Sequence, residues 1–160
     1  MDDLLPVAQR IATLLKAKQA TVAVAESSAG GLIAAALLAV PGASAYFLGG
    51  AVVYTVRARQ ALLDIPAAAL VGLRSSTEPY ALVLAKTVRE RFDATWGLAE
   101  TGAAGPTGNR YGDAAGHACF AVAGAVERAV TLETGQNDRV ANMRVFALGA
   151  LQLLEQSLQN

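Results

Sequence analysis

The chain has 160 residues with 13 basic and 13 acidic side chains, so it has no formal net charge; 54% of its residues are hydrophobic and only 16% are charged. With a mean hydropathy of +0.38 and less than the usual quarter or so of charged residues, the sequence is apolar for a soluble domain, and intrinsic disorder is excluded. Balanced charge without a dense Lys/Arg run also excludes a protein that works by neutralising a nucleic-acid backbone, and leaves a small anionic ligand open.

The single cysteine, Cys119, has no partner within the chain for a disulfide, and the single histidine, His117, does not make the usual zinc site; neither a disulfide framework nor a structural metal is expected. Two aspartates open the N-terminal segment where a secretory signal would carry positive charge, so no signal peptide is read there. The longest apolar stretch, residues 32–42, is about half of the ~20 residues that a membrane span requires. The apolar excess is therefore assigned to a buried sheet or to a surface covered by another subunit, and the expectation is a cytoplasmic homo-oligomer with no membrane or nucleic-acid partner.

In chain order, Leu4, Ala8, Ile11 and Leu15 fall on one face and predict a helix over residues 3–18, with Asp2 or Asp3 as its cap. Residues 21–25 (TVAVA) are small and β-branched, which suits a strand buried on both faces. After the turn Glu26-Ser27-Ser28-Ala29-Gly30-Gly31, the Ala/Leu-rich run LIAAALLAV reads as a helix until Pro41-Gly42 stops it. A strand with embedded glycines is expected over 46–55 and a short helix over 56–64. Ser75-x-x-Glu78 has the form of a capping box ahead of a helix at 76–92. Residues 95–100 and 116–123 read as strands flanking a glycine-rich loop, and 127–133 as another. Val140, Met143, Ala147, Leu151, Leu154 and Leu158 mark a closing helix. Helices alternating with apolar strands predict one α/β domain with a mixed sheet.

Two loops and a set of arginines are candidates for chemistry. In the 26–31 turn a strand-to-helix transition places backbone N–H groups and a helix N-terminus beside serine hydroxyls, an arrangement able to hold an anion or an oxyanion; a serine that merely caps the helix is the competing reading. The loop Glu100 to Gly108 has glycines at 102, 105 and 108 and matches neither a Walker A nor a dinucleotide fingerprint, which leaves a backbone that approaches a ligand closely. Arg57, Arg59, Arg110, Arg139 and Arg144 are the side chains suited to a carboxylate or phosphate, solvation being the default for each alone. His117 and Cys119 share a strand face and are taken as core residues.

Ala25-Glu26-Ser27-x-x-Gly30-Gly31, the run from Val40 to Phe47 with Gly50 and Tyr54, Leu62-Leu63-Asp64-Ile65, Glu78-Pro79 and Thr101-Gly102-Ala103-Ala104-Gly105-Pro106 together resemble the CinA C-terminal domain, or nicotinamide mononucleotide deamidase, family. The resemblance implies a three-layer α/β/α sandwich with a mixed, mostly parallel sheet. It further implies hydrolysis of the carboxamide of nicotinamide mononucleotide to nicotinate mononucleotide and ammonia, with neither metal nor organic cofactor. By position it makes Ser27 the nucleophile, matches Tyr54 to the family's tyrosine, and sets Arg59 where the family carries a lysine base. Glu26, Ser28, Ala29, Gly30 and Gly31, together with Thr101, Gly102, Ala103 and Gly105, become ligand-binding loops, and Arg139 and Arg144 fall in the terminal arginine region.

Three departures stand out: Ser28-Ala29 replaces Cys-Thr, Val56 replaces a polar residue, and Arg59 replaces the lysine. A guanidinium stays charged at any pH of interest, so Arg59 does not deprotonate a serine; it is suited to phosphate or oxyanion binding. Tyr54, Glu26 and His117 are the candidate substitute bases. The expectation is an amidohydrolase with amides around Ala29 to Gly31 as its oxyanion hole, or else a catalytically idle nucleotide-binding relative.

Overall fold

A computed structural model describes residues 1–159. It contains α1 (Leu5–Ala17), β1 (Val22–Glu26), α2 (Leu32–Leu38), β2 (Phe47–Val52), α3 (Val56–Leu63), α4 (Glu78–Arg91), β3 (Trp96–Ala103), β4 (His117–Ala123), β5 (Glu127–Glu133) and α5 (Arg139–Gln159). The strands form one sheet in the order β2-β1-β3-β4-β5. β1 pairs in parallel with both β2 and β3, and β4 pairs antiparallel with both β3 and β5. Four of the five strands therefore point one way and β4 opposes them.

Strand alternation sorts the two cores. From β1, Val22 and Val24 face the same side as Trp96, Leu98, Phe120 and Val122, where they meet Ile11, Leu15, Ile33, Leu37, Phe146 and Leu151 of α1, α2 and α5. Ala23 and Ala25 face the opposite side with Ala99, Ala121 and Ala123, against Leu63, Leu84 and Val88 of α3 and α4. Two helical layers thus enclose the sheet, the α/β/α sandwich expected. The chain steps from β1 outward to β2 and then back across to β3, and this reversal puts α2 on one face and α3 and α4 on the other. It also opens a crevice at the carboxyl ends of β1 and β3, the place where open α/β sheets take ligands.

Helix positions agree with the hydrophobic periodicity; the caps do not. α1 begins at Leu4 without a side-chain cap, so neither Asp2 nor Asp3 serves. α4 has Thr77 at its N-cap with no capping bond from its side chain. The expected box fails because Ser76 adopts a left-handed φ of 59° and is buried. The Thr77 hydroxyl turns back to donate to the Arg74 carbonyl (2.8 Å), and the Glu78 carboxylate accepts from Thr131 on β5 (2.7 Å).

The alanine-lined face lets α4 come very close. A Cβ placed on Gly97 would sit 1.9 Å from the Ala85 carbonyl oxygen and 2.8 Å from Arg89 Cβ. Both obstacles belong to the helix itself, so no rotamer change relieves them. Gly97→Ala is expected to destabilise the protein by about 2 kcal/mol or more, read as a lower urea midpoint; a loss of less than about 0.5 kcal/mol would refute this packing.

Candidate functional site

The site grows from two carboxylates at the ends of neighbouring strands. Glu26 closes β1 and Glu100 lies in β3, and both are almost completely buried. Each continues the register of the α2/α5 face, Glu26 after Val22 and Val24 and Glu100 after Trp96 and Leu98, so each points into protein rather than water. A buried carboxylate must be met by donors. Glu26 accepts from the amides of Gly31 (2.9 Å), Ile33 (3.0 Å) and Ala34 (2.8 Å), the first turn of α2. Glu100 accepts from the amides of Ser27 (2.9 Å) and Ala29 (2.8 Å), and from the Ser28 hydroxyl. The two side chains shape the whole turn, which Gly30 and Gly31 complete with φ of 67° and 98°.

This corrects the expectation that amides around Ala29 to Gly31 await an oxyanion. The Ala29 and Gly31 amides are held by the protein's own carboxylates, and the Gly30 amide donates to the Ser27 carbonyl at 3.2 Å. The capping of α2 falls to Glu26, neither to Ser27 nor to Ser28. Burial drives both acids above the ordinary carboxylate range: Glu26 is raised against the pull of the Ala34, Ile33 and Gly31 amides. Glu100 is raised to about 7, because burial and the nearby charge of Glu26 outweigh the bonds from Ser28, Ala29 and Ser27.

Two cavities open beside this turn. One, of about 390 Å³, is lined by Ser27, Tyr54, Arg59, Ser76, Tyr80, Thr101, Gly102, Asn109, Arg110 and Tyr111 among others. The second, of about 230 Å³, is lined by Ser28, Tyr54, Gly102, Ala103, Ala104, Gly105, Thr107, Gly108, Asn109 and Arg139. Tyr54, Gly102 and Asn109 border both, so the two adjoin. In the larger cavity Arg59 Nη1 donates to the Tyr80 hydroxyl (2.9 Å) and its guanidinium lies 5.7 Å from that ring's centre. In the smaller one Arg139 donates to the Gly105 carbonyl (2.6 Å) and to the Tyr54 hydroxyl (3.2 Å).

The loop between β3 and β4 is braced from outside. Asp113 takes a two-pronged contact from Arg74 (2.5 and 2.9 Å) and a bond from the Asn109 side chain (2.7 Å). The Arg74 guanidinium holds the Asp113 carboxyl below its usual range. Arg110, on the same loop, donates to the Tyr111 hydroxyl (3.0 Å) and with it faces the larger cavity.

Ser27, Tyr54, Arg59, Thr101 and Gly102 are thus brought to one cavity, and Ser28, Ala103, Gly105 and Arg139 to its neighbour. Gly30 and Gly31 line neither: a Cβ on Gly30 would meet Met143 Cε at 2.9 Å, and one on Gly31 would meet Val52 at 3.7 Å. Arg144 is also elsewhere, exposed beside Asp3 and Asp138, because it lies five residues past Arg139 and so on a different side of α5. Of the substitute bases, Glu26 is committed to α2. His117 is committed too, its Nε2 donating to the Ser76 carbonyl (2.8 Å) and its Nδ1 bonded to Glu133. Burial lowers the His117 pKa, and Glu133, the Ser76 carbonyl and the Asp113 charge outweigh that to leave it raised. Cys119 lies beneath it, 3.5 Å from the same carbonyl, its thiol pushed up by burial.

Sequence reasoning missed Glu100, Ser76 and Tyr80 as site residues. For Glu100 a signal existed: a carboxylate at the end of the apolar run Trp96 to Ala99, in the register of Trp96 and Leu98, demands donors from elsewhere. Among the described residues no group of three or more His, Cys, Asp or Glu side chains is placed to hold a metal ion, and no helix is long and apolar enough to cross a membrane.

The raised Glu100 acid has a stability consequence. A carboxyl that keeps its proton to about 7 when folded, against 4.5 in its absence, contributes stability in full below pH 4.5, and this is lost as pH rises through about 7. The amount is on the order of 3 kcal/mol. The melting temperature of the wild type is expected to fall more between pH 5 and 8 than that of Glu100→Gln; parallel profiles would contradict the shift.

The model of the CinA C-terminal domain family matches residues 4–158. A CinA-like protein of Gloeobacter violaceus is 38% identical over 156 residues, covering 96% of this chain and 37% of that protein. One of Anaeromyxobacter is 40% identical over 150 residues, covering 91% and 35%. The chain therefore spans only about a third of the length of these curated relatives. Among solved structures, the competence/damage inducible protein CihA of Agrobacterium tumefaciens aligns with a TM-score of 0.87 at 29% identity, over 99% of this chain and 96% of that one. A competence-damaged protein (CinA) superfamily protein of Klebsiella pneumoniae aligns with a TM-score of 0.90 at 25% identity, over 98% of each. By sequence over nearly its whole length and by fold, the chain belongs to the CinA C-terminal domain family.

Proposed function

We propose that the protein is an amidohydrolase that cleaves the carboxamide of a pyridine mononucleotide, nicotinamide mononucleotide by the family resemblance, to the acid and ammonia. The observation that carries this reading is the pair of adjoining cavities at the carboxyl ends of β1 and β3. Ser27 lines the larger and Ser28 the smaller, while Arg59 and Arg110 line the larger and Arg139 the smaller. In a chain of zero net charge, three arginines around one crevice favour an anionic ligand such as a phosphate monoester. The aromatic rings of Tyr54, Tyr80 and Tyr111 supply flat apolar walls for a base or ribose. A serine of the turn attacks the amide carbon, Ser27 by the resemblance, and a guanidinium stabilises the oxyanion where the turn's amides do not.

A second reading, binding without turnover, is favoured by Arg59 itself. Its guanidinium, fixed on the Tyr80 hydroxyl at 2.9 Å, stands where the resemblance sets a lysine base and takes no proton. Purified protein is expected to release ammonia from nicotinamide mononucleotide, and the double variant Ser27→Ala/Ser28→Ala to lose at least about 100-fold in kcat. Saturable binding of the mononucleotide by calorimetry with no ammonia would establish the second reading, under which Arg59→Lys is expected to gain turnover. Equal ammonia from wild type and double variant would remove serine chemistry altogether.

A further inference from the structure

His117 opens β4 as a buried residue, and both nitrogens of its ring meet acceptors. Nδ1 is bonded to the Glu133 carboxylate at the end of β5, and Nε2 lies 2.8 Å from the Ser76 carbonyl oxygen. A neutral imidazole donates from one nitrogen only, and neither a carboxylate nor a carbonyl offers a proton in return. Two acceptors therefore require two N–H donors, which is the imidazolium.

The groups packed around the ring fit a positive charge. Asp113 of the β3–β4 loop stands 3.9 Å from Nε2. Cys119, on the same face of β4, has its sulfur 3.8 Å from Nε2, and its thiol is pushed up by burial and stays neutral. Thr131 of β5 lies 3.4 Å from that sulfur and donates to Glu78 at the start of α4. Against the carboxylates of Glu78, Asp113 and Glu133 stands the Arg74 guanidinium, which is paired with Asp113. Although burial opposes the charge, Glu133, the Ser76 carbonyl and Asp113 raise the imidazole pKa.

What the ring holds is a wall of the larger cavity. Ser75 and Ser76 line that cavity, and Ser76 has a φ of 59°, a left-handed conformation that a residue other than glycine keeps only where its surroundings enforce it. Its amide donates to the Thr101 hydroxyl (3.3 Å) and its carbonyl accepts from His117. One turn along α4, the Tyr80 hydroxyl accepts from Arg59 (2.9 Å). Thr101, Tyr80 and Arg59 line the same cavity, whereas His117 does not.

We infer that His117, as an imidazolium, is a positioning residue that clasps β5 to the 74–77 segment and so sets the wall of the larger cavity, ligand affinity falling as the ring loses its proton. The inference rests on the reading of that cavity as a mononucleotide site and leaves the reacting groups unchanged. When the proton leaves, one of the two bonds is forfeited, and a ring held by one bond no longer fixes Ser76. The clasp is complete well below the raised pKa and opens as pH climbs through it, at a pH above the ordinary 6.5.

The chain has one histidine, so its imidazole gives one set of proton and nitrogen NMR signals in untagged protein. Both ring nitrogens are expected to be protonated at pH 6, with a titration midpoint above 6.5. Across that midpoint the protection of the Ser76 and Ala81 amides against hydrogen exchange, corrected for intrinsic rates, is expected to fall about tenfold. Affinity for nicotinamide mononucleotide, read by calorimetry, is expected to fall about fivefold. Glu133→Gln, at an exposed position, is expected to move the titration, the protection step and the affinity step to lower pH together, and His117→Gln to remove the two steps. Glu133→Gln carries the test even if the His117 variant does not fold. An unprotonated ring nitrogen at pH 6, or protection and affinity steps that stay in place while the titration moves, would overturn the clasp. Protection that follows the ring in a protein that does not bind the mononucleotide would keep the clasp and refute the ligand.

Discussion

Everything at this site depends on two carboxylates that the sheet delivers into its own interior. Glu26 and Glu100 between them accept five backbone amides and one hydroxyl from residues 27–34. Each such bond, roughly 1.5–3 kcal/mol when its acceptor is ionised, recovers only part of the cost of removing two acids from water, which is why both are raised, and together they leave the turn with little freedom. The same bonds occupy the amides of Ser27, Ala29, Gly31, Ile33 and Ala34. A loop that looks like an anion cradle is here largely filled by the protein's own carboxyl groups, and arginines face the cavities beside it.

The position of the acids follows from the sheet. β1 and β3 are adjacent and parallel, so their carboxyl ends lie side by side, and the alanine-lined opposite face draws α4 close enough to bring Ser76 within 3.3 Å of the Thr101 hydroxyl. Glycine at 97 permits that approach. Chain segments more than 70 residues apart thus meet in one crevice, where the 27–28 serines, the Tyr80 ring and the arginines of three separate segments face each other. Charge that is balanced over the whole molecule is concentrated as positive charge there.

Strands and helices were legible in the sequence because their signals are local. Small and β-branched residues at 22–25 and the Leu4/Ala8/Ile11/Leu15 stripe each report burial through their immediate neighbours. Caps were not legible: Asp2, Asp3 and Ser75 had the right chemistry, but the backbone at Leu4 and the left-handed Ser76 decided otherwise, while α2 is capped by a strand residue five to eight positions upstream. The gathering of Ser27, Tyr54, Arg59 and Thr101 around one cavity could be anticipated only through the family resemblance. Occupation of the Ser27 and Ala29 amides by a carboxyl group 71 to 73 residues away depends on strand order, which periodicity does not encode. Arg144 was misplaced for the converse reason, since proximity in sequence to Arg139 is not proximity around a helix.

The most direct measurement of this account is a crystal structure of the protein soaked with nicotinamide mononucleotide. The account predicts the phosphate against arginines of the crevice, the carboxamide beside the 27–28 turn, and Glu100 still bonded to the amides of Ser27 and Ala29. A ligand oxygen seated on those two amides, with the Glu100 carboxylate displaced from them, would contradict it.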